Sequence, residues 1–172
     1  MMMKKIYMTF GTPEFLHKFQ EENPDETLIQ LLGDDTALLV HETEGETLFN
    51  EPRKYEAFSE SGQLTENGFF VFNNIPVSDE GRPVFEHRFK NRAGLIEEEP
   101  GFIAIRVLRP LDSDIYVVLT QWEDEASFKD WQNSQSYNKA HEKRGTPEGI
   151  DHQKTMFPRA SFVTKYVGQT EQ

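Results

Sequence analysis

Three side chains in this sequence have the types and spacing to act together. Trp131 and His141 stand ten residues apart in FKDWQNSQSYNKAH, residues 128–141, and an amide pair, Asn73 and Asn74, interrupts the apolar run FFVFNNIPVS of residues 69–78. Neutral imidazole is a common ligand for heme iron and for zinc. No HxH or HExxH pattern surrounds His141, and its one acidic neighbour is Glu142. That argues against zinc and leaves a single axial ligand as the sharper idea. On one continuous helix, ten residues advance about 1000°, which sets Trp131 and His141 about 80° apart on adjoining faces. A break near Ser134–Ser136 would turn both toward one cavity. An aromatic wall, a nitrogen ligand and a strand-borne amide are the parts of a pocket that could hold heme.

Each residue also has a plainer use. Trp131 could pack with Phe128 against a sheet, and His141 could be solvated on a polar helix. An amide inside an apolar strand is costly to bury without a partner, yet backbone groups near a strand end could satisfy it. Alternation puts Phe70, Phe72 and Asn74 on one face and Phe69, Val71, Asn73 and Ile75 on the other. One amide therefore faces the covered side of the sheet. The remaining histidines, His17, His41, His87 and His152, sit on helix, strand-end or loop patterns without ligand spacing. No Ser/His/Asp arrangement, Walker loop or Rossmann glycine pattern is present. The acids form no pattern that supports hydrolase chemistry.

The elements that must position these residues alternate between short strands and amphipathic helices. Residues 5–11 alternate as a strand. Thr12-Pro13 reads as an N-cap with proline at the first helical position, and the helix that follows is expected to place Phe15, Leu16 and Phe19 on one face. Residues 27–32 and 36–41 form a hairpin pattern around Gly33-Asp34-Asp35. Residues 47–58 are ambiguous, broken by Pro52. The polar stretch 59–68 is the best linker candidate. The second half then reads as a strand over 69–77, a helix containing Val84, Phe85 and Phe89, two paired strands over 101–110 and 115–122, a helix over 124–143 with an interruption near 133–136, and a strand over 161–167. That order, β-α-β-β-α-β, is the split βαβ or ferredoxin-like arrangement. The expected fold is α+β, with two ferredoxin-like units in one chain. Residues 1–67 form a smaller, irregular N-terminal half, and residues 68–172 form the domain that carries the site. Two open sheets in one chain could close into a barrel and cover each other's edges.

The 172 residues contain no cysteine, which excludes disulfides and thiolate chemistry and makes a cytoplasmic location the expectation. No apolar run approaches the ~20 residues of a membrane helix. A net charge of −12 argues against general nucleic-acid binding. Residues 1–67 hold 5 basic and 14 acidic residues and residues 68–172 hold 13 and 16, so the halves carry −9 and −3. The second half is thus the better host for an anionic ligand, with Arg88, Arg92, Arg106 and Arg109 available to meet carboxylates.

The stretches NNIPVSDEG, RFKNRAG, EPGF and the W-x9-H of residues 131–141 resemble the antibiotic-biosynthesis-monooxygenase (ABM) fold. More narrowly they resemble its IsdG-type heme-degrading monooxygenases, over about residues 68–167. Across its whole length the chain is similar to a two-domain bacillus branch of these proteins and to a staphylococcal signal-transduction branch. The resemblance implies that Asn74, Trp131 and His141 form the active site. His141 would hold heme iron on the proximal side, Asn74 would donate a hydrogen bond on the distal side, and Trp131 would press on the porphyrin. Phe89 and Arg92 would line the pocket, Arg92 near a propionate. Heme is then cofactor and substrate at once, with O2 and an external electron donor or reductase as partners and free iron among the products. Single-domain members pair two copies to form one barrel. Here residues 1–67 could supply the second sheet, so a monomer with one heme site is expected. The competing expectations are a signalling or heme-binding protein without catalysis and a cofactor-free ABM-type quinol monooxygenase.

Overall fold

The computed structural model describes residues 4–90, 96–134 and 156–168. The elements are β1 (Lys5–Phe10), α1 (Pro13–Glu22), β2 (Thr27–Leu32), β3 (Ala37–Thr43), β4 (Arg53–Gly62), β5 (Phe69–Pro76), α2 (Arg82–Lys90), β6 (Phe102–Pro110), β7 (Ile115–Trp122), α3 (Glu125–Gln132) and β8 (Phe162–Val167). The fold is α+β, as expected. The eight strands close into a barrel in the order β1-β3-β2-β8-β5-β7-β6-β4.

The local chemistry behaves as the sequence suggests at Thr12, and a second cap forms at Asp124. The Thr12 side chain accepts from Phe15 N at 3.2 Å with Pro13 at the first helical position. Asp124 accepts from Ser127 N at 2.8 Å and starts α3. Gly101, at φ +84°, lies so close to Ser127 that a side chain there would displace the start of α3. Two expectations are corrected. The first four residues of the stretch proposed as a linker, 59–62, are strand, because β4 continues to Gly62 and pairs with both β1 and β6. Phe15 does not share the buried face of α1: it is 58% exposed, while Leu16 is fully buried.

Strand alternation sorts the apolar residues between two places. Ile6, Met8, Leu31, Leu38, Phe70, Phe72, Leu108, Val117 and Leu119 fill the barrel interior. On the outside, α1 covers Tyr7, Leu28 and Leu39. Phe85 of α2 packs with Ile75, Val77 and Tyr116, and Phe128 of α3 packs with Phe69, Val71 and Trp122. β5 is therefore buried on both faces, and this decides where its two asparagines point.

Candidate functional site

β5 and β7 pair over their full length, with Phe69 opposite Trp122, Val71 opposite Thr120, Asn73 opposite Val118 and Ile75 opposite Tyr116. These eight residues form the helix-covered face. α3 sits over one end, where Trp131 is packed against the Phe69, Val71, Trp122 and Phe128 cluster. Its ring centroid is 5.6 Å from that of Trp122 and 6.2 Å from that of Phe128. Trp122 is itself fixed beneath it, donating from Nε1 to Thr120 Oγ1 at 3.1 Å. α2 sits over the other end, where Phe89 packs beside Phe85, with ring centroids 4.8 Å apart. Asn73 and Val118 occupy the row between the two clusters. Asn73 is half-buried there, flanked on its own face by Val71 toward α3 and Ile75 toward α2.

Asn74, expected to share the site with Trp131, faces the other way. It lies on the barrel side with Phe70 and Phe72. Its Nδ2 donates to Phe162 O at 3.1 Å, Thr164 Oγ1 at 3.2 Å and Phe72 O at 3.2 Å. Those bonds fasten the start of β8 to β5, so the sheet itself separates Asn74 from Trp131. The amide that shares the covered face with Trp131 is Asn73. Alternation separates the two amides but cannot say which face the helices cover, because both faces are apolar. The remaining expected residues, His141 and Arg92, lie outside the described residues.

The α2 end is held by a charged network that no spacing in the sequence reveals. Arg109 of β6 grips Glu86 of α2 in a fork, Nη2 to Oε1 at 2.5 Å and Nε to Oε2 at 2.9 Å, and reaches Glu56 of β4 at 3.2 Å. Tyr116 donates its hydroxyl to the same Glu86, and Arg82 donates to the Tyr116 oxygen at 3.1 Å. Burial pushes the Glu86 carboxyl up, but the hydrogen bonds from Arg109 and Tyr116 prevail and hold it below the usual carboxylate range. Burial and then Glu86 push the Tyr116 phenol up to about 12. With the hydroxyl committed in this way, Tyr116 serves to seat α2 rather than to exchange protons near neutral pH.

The matching outer face of the N-terminal half is filled by its own side chains. His41 is fully buried, with Nε2 2.7 Å from Glu26 Oε1. The rings of Tyr7 and Phe49 lie 6.0 and 5.7 Å from its own. Among the described residues no group of three His, Cys, Asp or Glu side chains could hold a metal ion, and no helix is long and apolar enough to cross a membrane.

The antibiotic biosynthesis monooxygenase family matches residues 68–143, which include this face of β5–β7, α2 and α3. The signal transduction protein TRAP of Staphylococcus aureus is 30% identical over 136 residues, 79% of this chain and 81% of that protein. A heme-degrading monooxygenase of Listeria monocytogenes is 26% identical over 154 residues, 88% of this chain and 92% of that protein. The solved structure of a major regulator of staphylococcal pathogenesis superposes with a TM-score of 0.84 at 26% identity, covering 97% of this chain and all of that one.

Proposed function

Because the chain belongs to the family of ABM-domain proteins that includes staphylococcal TRAP, we propose that it is a heme-degrading monooxygenase whose site is the row between α2 and α3. One observation carries this reading: an amide and an indole share the covered face of β5–β7, with ring-bearing clusters at either end of the row. Apolar ring walls with one amide at the centre suit a flat aromatic macrocycle with a polar middle. The similarity to the Listeria heme-degrading monooxygenase points to the same ligand class.

In this reading His141 would hold the iron, Trp131 would press on the macrocycle, and Phe89 and Arg92 would line the pocket, with Arg92 toward a propionate. Asn73, in place of Asn74, would supply the hydrogen-bond donor. Heme, when bound, supplies the O2 activation, with electrons from an external donor and with free iron and an opened tetrapyrrole as products. A preset amide donor favours charge developing beside it, since it needs no reorganisation. Trp122 and Phe128 back Trp131 and keep its plane fixed. One heme per chain follows, because Phe49, Tyr7 and His41 fill the matching face of the other half. Residues 1–67 and 68–172 then act as two ferredoxin-like units of an internal pseudo-dimer, and the chain is a monomer.

A second reading, a signalling protein without catalysis, is favoured by the 30% identity to TRAP. Hemin titration separates the two. The oxygenase reading expects a saturable Soret band near one heme per chain that His141→Ala abolishes or shifts. It also expects that ascorbate and O2 bleach the band and release iron, with bleaching that survives catalase. A wild-type protein with no saturable band sinks the proposal, and a stable band under ascorbate and O2 leaves a heme binder only.

A further inference from the structure

Lys165 stands beside the proposed site and meets no acidic partner among the described residues. On β8 it pairs with Val71, and its neighbour Val163 pairs with Asn73, so Lys165 and Val163 extend the site's row onto the next strand. Its ammonium lies 5.8 Å from the centroid of Phe128, the ring that backs Trp131. Four described cations of residues 68–172 are engaged: Arg109 by Glu86 and Glu56, Arg106 by Glu42, Lys129 by Glu125 and Arg159 by Asp114. Lys165 is exposed and meets no carboxylate among the described residues. In a chain of net charge −12, a carboxylate-bearing ligand entering this row needs a local cation to offset the field.

We propose that Lys165 is a specificity-determining residue that pairs with a carboxylate on the edge of the bound macrocycle, selecting ligands that carry ionised side arms. This rests on the heme reading above and adds to it the means by which the open edge is recognised. Val163, on the same face of β8, and Phe128, whose ring centroid is 5.8 Å from the ammonium, would form the apolar flanks of the contact. A lysine that merely shields Phe128 would make a weak cation–π contact and would be indifferent to the ligand's charge.

The test titrates hemin and hemin dimethyl ester, delivered from the same detergent, into the full-length wild type, Lys165→Met and Lys165→Glu. Lys165→Met keeps the apolar stem, and thermal midpoints confirm that both variants fold. The expected result is hemin affinity about fivefold weaker in Lys165→Met and about tenfold weaker in Lys165→Glu, with the loss shrinking at molar salt. Ester affinity stays within about twofold in all three proteins. Saturable hemin binding that ignores the charge at position 165, or equal losses for hemin and ester, overturns the assignment of Lys165 and leaves the heme reading standing. No saturable binding of hemin by the wild type overturns both.

Discussion

Asn73 and Asn74 are chemically identical and one peptide apart, yet the sheet assigns them opposite work. Asn74 is a structural clamp whose amide holds β8 through Phe162 and Thr164, whereas Asn73 sits between the two helix clusters. Truncating each should therefore separate stability from turnover. Asn74→Ala is expected to lower unfolding free energy by about 1–3 kcal/mol, because β8 loses its side-chain bonds to β5, with the hemin-bleaching rate within about twofold of wild type. Asn73→Ala is expected to leave the denaturant midpoint nearly unchanged and to slow bleaching by about tenfold or more. The opposite pattern would return the distal role to Asn74. The pair also marks how far the sequence could be read at this scale. An asparagine in an apolar strand and Trp131 at its spacing from His141 are the candidates that the sequence offers. Choosing between the two amides needs the fold, since Phe70 and Phe72 inside the barrel are as apolar as Phe69 and Val71 beneath α3.

At the scale of elements, α2 and α3 are fixed by different means. α3 is seated by tilted and edge-on aromatic rings, while α2 is tied by Glu86 to Arg109 and Tyr116. Folding depresses the Glu86 carboxyl, so its contribution is fully present above the ordinary carboxylate value of 4.5 and is lost as pH falls through the lower folded value. Tyr116 has the opposite sense: its contribution is whole below pH 10 and fades as pH rises toward about 12. Urea midpoints measured against pH should show wild type losing more stability than Glu86→Gln between pH 5 and about 3, where only wild type has the position-86 carboxylate to protonate. Parallel acid limbs would mean that the fork adds nothing. Most elements were legible, because apolar, strand-forming runs mark β5, β6 and β7 and the Thr12-Pro13 cap marks the start of α1. β4 was not, because Pro52 precedes it and its later residues are polar. Those polar residues are strand because of their partners: Glu60 meets Arg106 at 3.3 Å and Lys4 at 3.6 Å, contacts made across the barrel rather than along the chain.

At the scale of the whole molecule, the barrel closes through strand pairings of unequal length. β4 and β6 share seven residue pairs, whereas among the described residues β2 and β8 share only Leu32 with Val167. Inside the barrel the halves are joined by Arg106, fully buried on β6. Its Nε donates to Glu42 of β3 at 2.7 Å, and its Nη1 donates to Ser61 O and Gly62 O at 3.2 and 2.9 Å. This pair spans residues 64 apart and cannot form until both halves are in place. Removing the cation alone leaves the Glu42 carboxylate in a nearly closed interior, so Arg106→Ala is expected to cost about 3–5 kcal/mol. Replacing both partners with apolar residues, Arg106→Met with Glu42→Leu, should recover most of that loss, since an apolar pair carries no desolvation penalty. If the barrel closes within one chain, none of these proteins needs a second copy to satisfy its strands. Light scattering should then give a mass near 20.0 kDa for wild type and for the double variant, with unfolding midpoints independent of protein concentration. A midpoint that rises with concentration would show that the short β2–β8 seam is completed by another molecule.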